Sequence, residues 1–269
     1  MRIPLLMGVV NVTPDSFSDG GAFLDPARAI EHGMKLAEEG AAILDIGGES
    51  TRPGAEAVPA EVELARILPV VKGLAGRTAA ALSIDTRKPE IASAAVEAGA
   101  SIWNDVSALS WSRESLAGAA RLGCRIVLMH AQGDPKTMQD DPRYDDVVSE
   151  VRSFLGERIA RCAKVGIARN RLIVDPGIGF GKTLDHNLAL LAGLPALAEL
   201  GVPILVGASR KRFIAAADRN GAADARIGGS IAGALAAWRG GASILRVHDV
   251  AATRQALSVT AAIERSALS

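Results

Sequence analysis

Asp85, Asn104 and Asp175 each follow a short apolar run: Leu82–Ile84, Ile102–Trp103 and Leu172–Val174. Two carboxylates and an amide can read the edge of a heterocycle with adjacent N–H donors, such as an aminopyrimidinone. A carboxylate accepts two such bonds side by side, as it does from arginine. A lone strand-end aspartate is as well explained by capping the next helix. Three polar groups at comparable positions favour a shared ligand. A second chemistry is cationic. Gly207-Ala208-Ser209-Arg210-Lys211-Arg212 follows one apolar stretch, and Arg246-Val247-His248-Asp249 closes another. Side chains alternate along a strand, so Arg246 and His248 point the same way and could form an anion site.

Three further segments carry possible chemistry. Asn11 ends the run Leu5–Val10 and opens a polar, turn-rich segment through Gly21. Its amide oxygen suits Mg²⁺ that is also held by substrate phosphates and waters; the plain alternative is a surface loop with an Asx-type turn at Asp15. In Glu49-Ser50-Thr51-Arg52-Pro53-Gly54, Arg52 could fork onto a phosphate or carboxylate and Thr51 could add a hydroxyl. The plain alternative there is a turn held by an arginine–glutamate pair. Asp175-Pro176-Gly177-Ile178-Gly179-Phe180-Gly181-Lys182-Thr183 resembles two nucleotide motifs and matches neither. Pro176 replaces the first glycine of a phosphate loop, and the glycine spacing is wrong for a dinucleotide fingerprint. These glycines instead let the backbone approach a flat ligand beside Phe180. Among the histidines, His32 and His186 read as helix-surface residues. His130 ends an apolar run but lacks a partner at metal-ligand spacing.

These groups are far apart in sequence, so the fold must bring them together. Strands are predicted at Leu5–Asn11, Ile43–Gly47, Leu82–Asp85, Ile102–Val106, Arg125–His130, Leu172–Asp175, Pro203–Gly207 and Ile244–Val247. All are apolar on both faces, as in a parallel sheet covered by helices or closed on itself. Helical patterns alternate with them. One begins Asp25-Pro26, a cap acceptor followed by proline at the first helical position, and Gly40 suits its end. Another, near Tyr144–Val165, aligns Val147, Val151, Leu155, Ile159 and Cys162, with Gly166 after it. Eight βα units fit a TIM (β/α)8 barrel in one domain over residues 1–269, and a doubly wound open sheet is the alternative. In a barrel the carboxyl ends of all the strands converge on one face, which carries the active site. Phosphate sites often follow strands seven and eight there, where the Lys211 and Arg246 clusters lie.

Composition narrows the partners. The chain has 269 residues, 49% hydrophobic, with formal net charge zero and 3% aromatics. No basic patch suggests nucleic acid or an anionic membrane as partner, and stacking residues are scarce. Cys124 and Cys162 lack paired-motif spacing and read as buried thiols of a reducing compartment. The N-terminal apolar stretch is short for a signal peptide, and no run reaches the ~20 apolar residues that cross a bilayer. A cytoplasmic protein is expected.

Eight segments in order then carry a family likeness: Asn11–Gly21, Gly48–Gly54, Ser83–Thr86, Asn104–Ser107, Met129–Gln139, Asp175–Lys182, Gly207–Phe213 and Arg246–Val250. Together they resemble the dihydropteroate synthases over nearly the whole chain. The resemblance implies a TIM barrel, usually a homodimer, that joins 6-hydroxymethyl-7,8-dihydropterin pyrophosphate to p-aminobenzoate in folate biosynthesis and is a sulfonamide target. It implies that Asp85, Asn104, Asp175 and Lys211 hold the pterin and that Asn11 coordinates Mg²⁺. Thr51, Arg246 and His248 would meet the pyrophosphate. Phe17, Arg52, Pro53, Phe180 and Ser209 would line the aminobenzoate site. Asp85, Lys211, Arg246 and His248 are the implied catalytic groups. Two departures stand out: Ala131 where many members carry methionine, and Trp103 where an aliphatic is usual. The competing readings are a methyltransferase-type pterin barrel, which needs no pyrophosphate site, and a silent pterin- or folate-binding homologue. For the homodimer, the Ala/Gly-rich stretch Gly228–Gly241 is a candidate contact.

Overall fold

A computed structural model describes residues 2–13, 25–50, 56–133, 136–219 and 221–267. Thr51, Arg52, Pro53 and Phe17 lie outside these, as does most of the segment after Asn11. The strands are β1 (Leu5–Asn11), β2 (Ile43–Gly47), β3 (Ala81–Asp85), β4 (Ile102–Asp105), β5 (Arg125–Met129), β6 (Leu172–Asp175), β7 (Leu205–Val206) and β8 (Ile244–Val247). They pair in parallel in the order β6-β5-β4-β3-β2-β1-β8-β7. A bridge between Val174 and Ile204 brings β7 back to β6. The sheet is therefore a barrel, and the open doubly wound alternative is excluded.

Among the described residues ten α-helices cover it: α1 (Pro26–Glu39), α2 (Ala60–Leu74), α3 (Pro89–Glu97), α4 (Glu114–Leu122), α5 (Val147–Lys164), α6 (Leu184–Ala192), α7 (Leu194–Ala198), α8 (Arg212–Ala217), α9 (Ile227–Arg239) and α10 (Val250–Ser266). The expected α1 boundaries hold. Asp25 accepts from the Ala27 amide, Pro26 follows, and Gly40 closes the helix in the left-handed region. α5 starts later than its apolar pattern suggests. Asp146 accepts from the amides of Val148 (3.0 Å) and Ser149 (3.2 Å), which fixes the first turn there. β7 is shorter than expected. Pro203 has no N–H to give to a ladder, and it contributes only its carbonyl, to the Val174 amide at 3.0 Å.

Alternation along the strands divides the apolar residues into two populations. One face, including Leu44, Ile46, Leu82, Ile84, Leu128 and Val174, packs under the helices. The other closes the barrel interior with Met7, Ile43, Ile102, Val127, Ile173, Leu205 and Ile244. Two residues further along, the same inward-facing rows carry Asp45, Asn104, Met129, Asp175 and Arg246, with Asp85 on β3 facing the same way. The barrel thus has a dry floor and a polar mouth. Cys124 and Cys162 are both buried. Gly229, Gly233 and Gly240, from the stretch offered for a partner, closely approach Ile214, Ala208 and Leu194 of the same chain. Small residues there let α9 seat against its own barrel. Among the described residues, no helix is long and apolar enough to cross a membrane.

After β6 the backbone doubles back over β5. Gly177 has φ +68°, and a Cβ there would overlap the His130 carbonyl oxygen. Gly177→Ala should therefore cost about 2 kcal/mol or more, through both strain and overlap. Denaturant unfolding with an unchanged m-value checks this, and a wild-type midpoint would contradict it.

Candidate active site

The centre of the mouth is a charge cluster. Arg246 donates from Nε to Asp45 Oδ2 at 2.6 Å and from Nη2 to Asp85 Oδ2 at 2.8 Å. Asn104 Nδ2 donates to the same Asp45 oxygen at 3.1 Å. Asp45 is 0% exposed. The cluster ties β2, β3, β4 and β8 together at one level. Its position on β8 suits Arg246 to an anion, and the structure gives it two internal carboxylates as well. Those carboxylates hold the guanidinium more firmly protonated than usual, despite its burial. Asp85 is pushed up to about 7, chiefly by burial and then by Asp45, with Arg246 opposing. Among the described residues Asp45 Oδ1, Ser83 Oγ and Asp85 Oδ1 are buried without hydrogen-bond partners. Such orphans are uncommon in folded proteins and mark places a ligand or water completes.

Asp175 stands across the mouth. Its Oδ1 accepts from the Gly177 amide at 2.7 Å, and burial raises its pKa against the pull of Lys211. Lys211 donates to the Ile178 carbonyl and lies 4.3 Å from the Phe180 ring centroid. Burial lowers its pKa to about 8. Ser209 Oγ accepts from the His248 amide at 3.3 Å and sits 3.0 Å from His248 Nδ1. Between Ser209 and Lys211, Arg210 adopts φ +59° and forks onto Asp249 at 2.6 and 3.0 Å. A non-glycine residue held in that region is strained and needs such anchoring. The bend leaves Ser209 beside His248 and Lys211 beside Phe180. Arg212 is exposed at the start of α8.

The glycine-rich segment is not a phosphate cradle. The amides of Gly177, Gly179 and Phe180 are already bonded to Asp175, Asn187 and Gly177. Beneath the segment, Lys182 is 3% exposed and its Nζ lies 3.0 Å from His130 Nδ1 and 2.9 Å from the Phe180 carbonyl. Burial lowers Lys182 to about 7 and His130 to about 3. His130 is thus a neutral acceptor that helps set the height of Phe180. His186 caps α6 with Thr183, and His32 Nε2 lies 3.3 Å from the Val9 carbonyl.

Asp105 faces away from Asn104, as alternation requires. It accepts from the amides of Ser107 (2.7 Å) and Leu109 (2.8 Å) and is a loop anchor. Asn11 ends β1, half-buried, with no hydrogen bond from its amide among the described residues. No group of three His, Cys, Asp or Glu that could hold a metal occurs among the described residues. One free amide oxygen fits a cation shared with ligand phosphates, and would not suffice for a cage of protein ligands. A cavity of about 220 Å³ opens beside Phe180, lined also by Met129, Ala131, Phe154, Trp111 and Arg87. The Ala131 departure thus leaves space. Trp103 is buried and donates to the Thr86 carbonyl at 2.7 Å, so its extra bulk is anchored. A larger groove of about 490 Å³ lies on the outer wall between α3 and α4, away from the mouth.

Two elements escaped the sequence analysis. Asp45 hides in an apolar run. The other is an ion network: Glu49 bonds Arg87 at 2.6 Å and also Lys88, which reaches Glu63 at 2.5 Å. Glu49 therefore pairs across to the segment after β3. Arg87 in turn stacks 3.9 Å over Trp111. Glu63 is 0% exposed, and burial raises its pKa although Lys88 and Thr86 pull it down. Lys88→Met should cost about 3–5 kcal/mol at pH 7 because Glu63 loses its cation. The folded state then binds a proton on Glu63 more readily than the unfolded chain, so the loss should shrink on acidification. Unfolding titrations at pH 7 and 5 test the sign; equal losses at both would contradict it.

The pterin binding enzyme family matches residues 7–248. The dihydropteroate synthase of Escherichia coli (strain K12) is 48% identical over 259 residues, covering 96% of this chain and 91% of that one. That of Neisseria meningitidis serogroup B is 50% identical over 267 residues, covering 97% and 93%. The Xanthomonas albilineans dihydropteroate synthase solved with 4-aminobenzoic acid has a TM-score of 0.92 at 53% identity, covering 97% and 93%. The same enzyme solved with 7,8-dihydropteroate gives 0.88 at 50% identity, covering 97% and 94%. The interior polar layer and this relatedness along the whole barrel converge: the chain belongs to the dihydropteroate synthases, a family of pterin binding enzymes.

Proposed function

We propose that this chain, as one barrel domain, transfers the (7,8-dihydropterin-6-yl)methyl group from pyrophosphate to the amine of p-aminobenzoate. The carbon under attack is attached to an electron-rich ring. Its bond to the pyrophosphate oxygen breaks, the electron pair leaves with pyrophosphate, and positive charge spreads into the pterin. The aniline nitrogen then bonds that carbon and loses a proton. An arylamine is already a neutral nucleophile, so no strong base is required.

The residues divide these tasks. Asp85, Asn104 and Asp175 take the N–H edge of the pterin, and Lys211 takes an acceptor on it. Asp85 also faces the charge that develops on the ring. Arg246 and His248 receive the pyrophosphate, with Thr51 beside it. Phe180, Ser209 and Arg52 shape the aminobenzoate side. Asn11 would hold Mg²⁺ through its amide oxygen together with pyrophosphate oxygens, and the ion when bound neutralises charge on the leaving group. A homodimer, a cytoplasmic location and sulfonamide sensitivity belong to the same reading by analogy with the family. The observation that carries the assignment is the polar mouth itself: acceptors on β3, β4 and β6, and cations after β7 and on β8, over one apolar floor.

The test is pyrophosphate release from 6-hydroxymethyl-7,8-dihydropterin pyrophosphate. Release should require both p-aminobenzoate and Mg²⁺. Pterin binding without release would favour a silent homologue or a methyltransferase-type barrel. Asp85→Asn should lower kcat by about 10²-fold or more while weakening dihydropteroate binding much less, and equal losses would remove its role at the transition state. Lys211 is the cation lost at high pH. Its lowered value means that kcat/KM should fall as pH rises past about 8. A flat profile to pH 9 would contradict the part given to Lys211.

A further inference from the structure

We infer that Asp45 is a positioning residue for this reaction: by holding Arg246 Nε, it prevents a two-bond fork between Arg246 and Asp85 and leaves one Asp85 oxygen open to the pterin. The inference rests on the transferase reading above and adds a residue to it.

Asp45 is a charge in the middle of Ile43-Leu44-Asp45-Ile46, fully buried above the apolar floor. Burying a carboxylate is expensive, and an apolar residue would usually serve the fold as well or better. Its position therefore calls for a reason other than stability. Arg246 supplies one. A guanidinium beside a lone carboxylate commonly forms two parallel bonds to it. Here the two donors divide, Nε to Asp45 at 2.6 Å and Nη2 to Asp85 at 2.8 Å. As a result Asp85 Oδ1 has no partner among the described residues. Arg246 Nη1 likewise has none among them, which leaves it available to an anion. Asn104 adds a bond to the Asp45 oxygen at 3.1 Å and so fixes the carboxylate that fixes the arginine.

Asp45→Ser removes the hold, and Asp45→Asn keeps an oxygen for Nε without the charge. In Asp45→Ser, Arg246 should fork onto Asp85. We expect kcat to fall by about 10²-fold with KM for p-aminobenzoate little changed, because the aminobenzoate side is untouched. Asp45→Asn should recover part of that loss. The pH profile separates positioning from a structural defect. The charged groups that act on Asp85 are Asp45 from β2, Arg246 from β8 and Lys211 after β7 within the mouth, with Glu63 on α2 and Asp105 on β4 acting from outside the inward row. Removing the like charge of Asp45 and adding a second Arg246 bond both favour ionised Asp85, so the acid limb of kcat should move to lower pH. A folded Asp45→Ser with kcat within about twofold of wild type, or with an unmoved acid limb, overturns the inference.

A second measurement needs neither a folded variant nor activity. In the wild-type chain the Arg246 Nε–H should give a resolved, slowly exchanging NMR signal, with and without inorganic pyrophosphate. A signal averaged with solvent overturns the inference. Absence of pyrophosphate release by the wild-type chain would instead count against the transferase reading, so the two failures are distinguishable.

Discussion

Everything in the mouth of this barrel is arranged around one cation between two carboxylates. Arg246 enters from β8, and Asp45 and Asp85 meet it from β2 and β3. The strand between them, β1, carries Met7, Val9 and Asn11 on its inward row and offers no charge to the cluster. Two negative groups facing one positive group leave the cluster with a deficit of positive charge if all three are ionised. In a poorly solvated interior that deficit raises Asp85 toward neutrality. It also suits a ligand that brings N–H donors and develops positive charge as it reacts.

The groups around that cluster owe their positions to pairs that do no chemistry. Arg210 and Asp249 lock a strained bend that puts Ser209 and Lys211 on either side of it. Lys182, neutral His130 and the Phe180 carbonyl set the height of the glycine-rich segment. Glu49, Arg87, Lys88 and Glu63 tie the segment after β2 to the one after β3. The last two groups are largely screened from water and Arg210–Asp249 is partly so; in such places an ion pair or hydrogen bond constrains geometry more than it adds to stability. Reacting groups held to a fraction of an ångström need such support.

Much of this was legible in the chain. Strands β1, β2, β6 and β8 have the boundaries their apolar runs suggest, and Asp25, Pro26 and Gly40 mark α1. Asp85, Asn104 and Asp175 were visible because each ends an apolar run. Asp45 was not, because a charge inside such a run carries no local signal. Only the barrel register shows that it faces Arg246, 201 residues away. The partners of Glu49 were hidden for the same reason, 38 and 39 residues further on. β7 was overextended because periodicity says nothing about the amide that Pro203 lacks. Thr51 and Arg52, named from their motif, remain assigned by sequence and family likeness alone.

In the proposed reaction one ligand completes the orphaned acceptors and the shared arginine of the mouth. The most direct measurement is a crystal structure of this chain with 6-hydroxymethyl-7,8-dihydropterin pyrophosphate bound. Pterin N–H groups should lie within hydrogen-bond distance of Asp85 and Asp175. Pyrophosphate oxygens should lie against Arg246 and His248, with Arg246 Nε still on Asp45. A pterin seated elsewhere, with Asp85 Oδ1 still unpartnered, would contradict it.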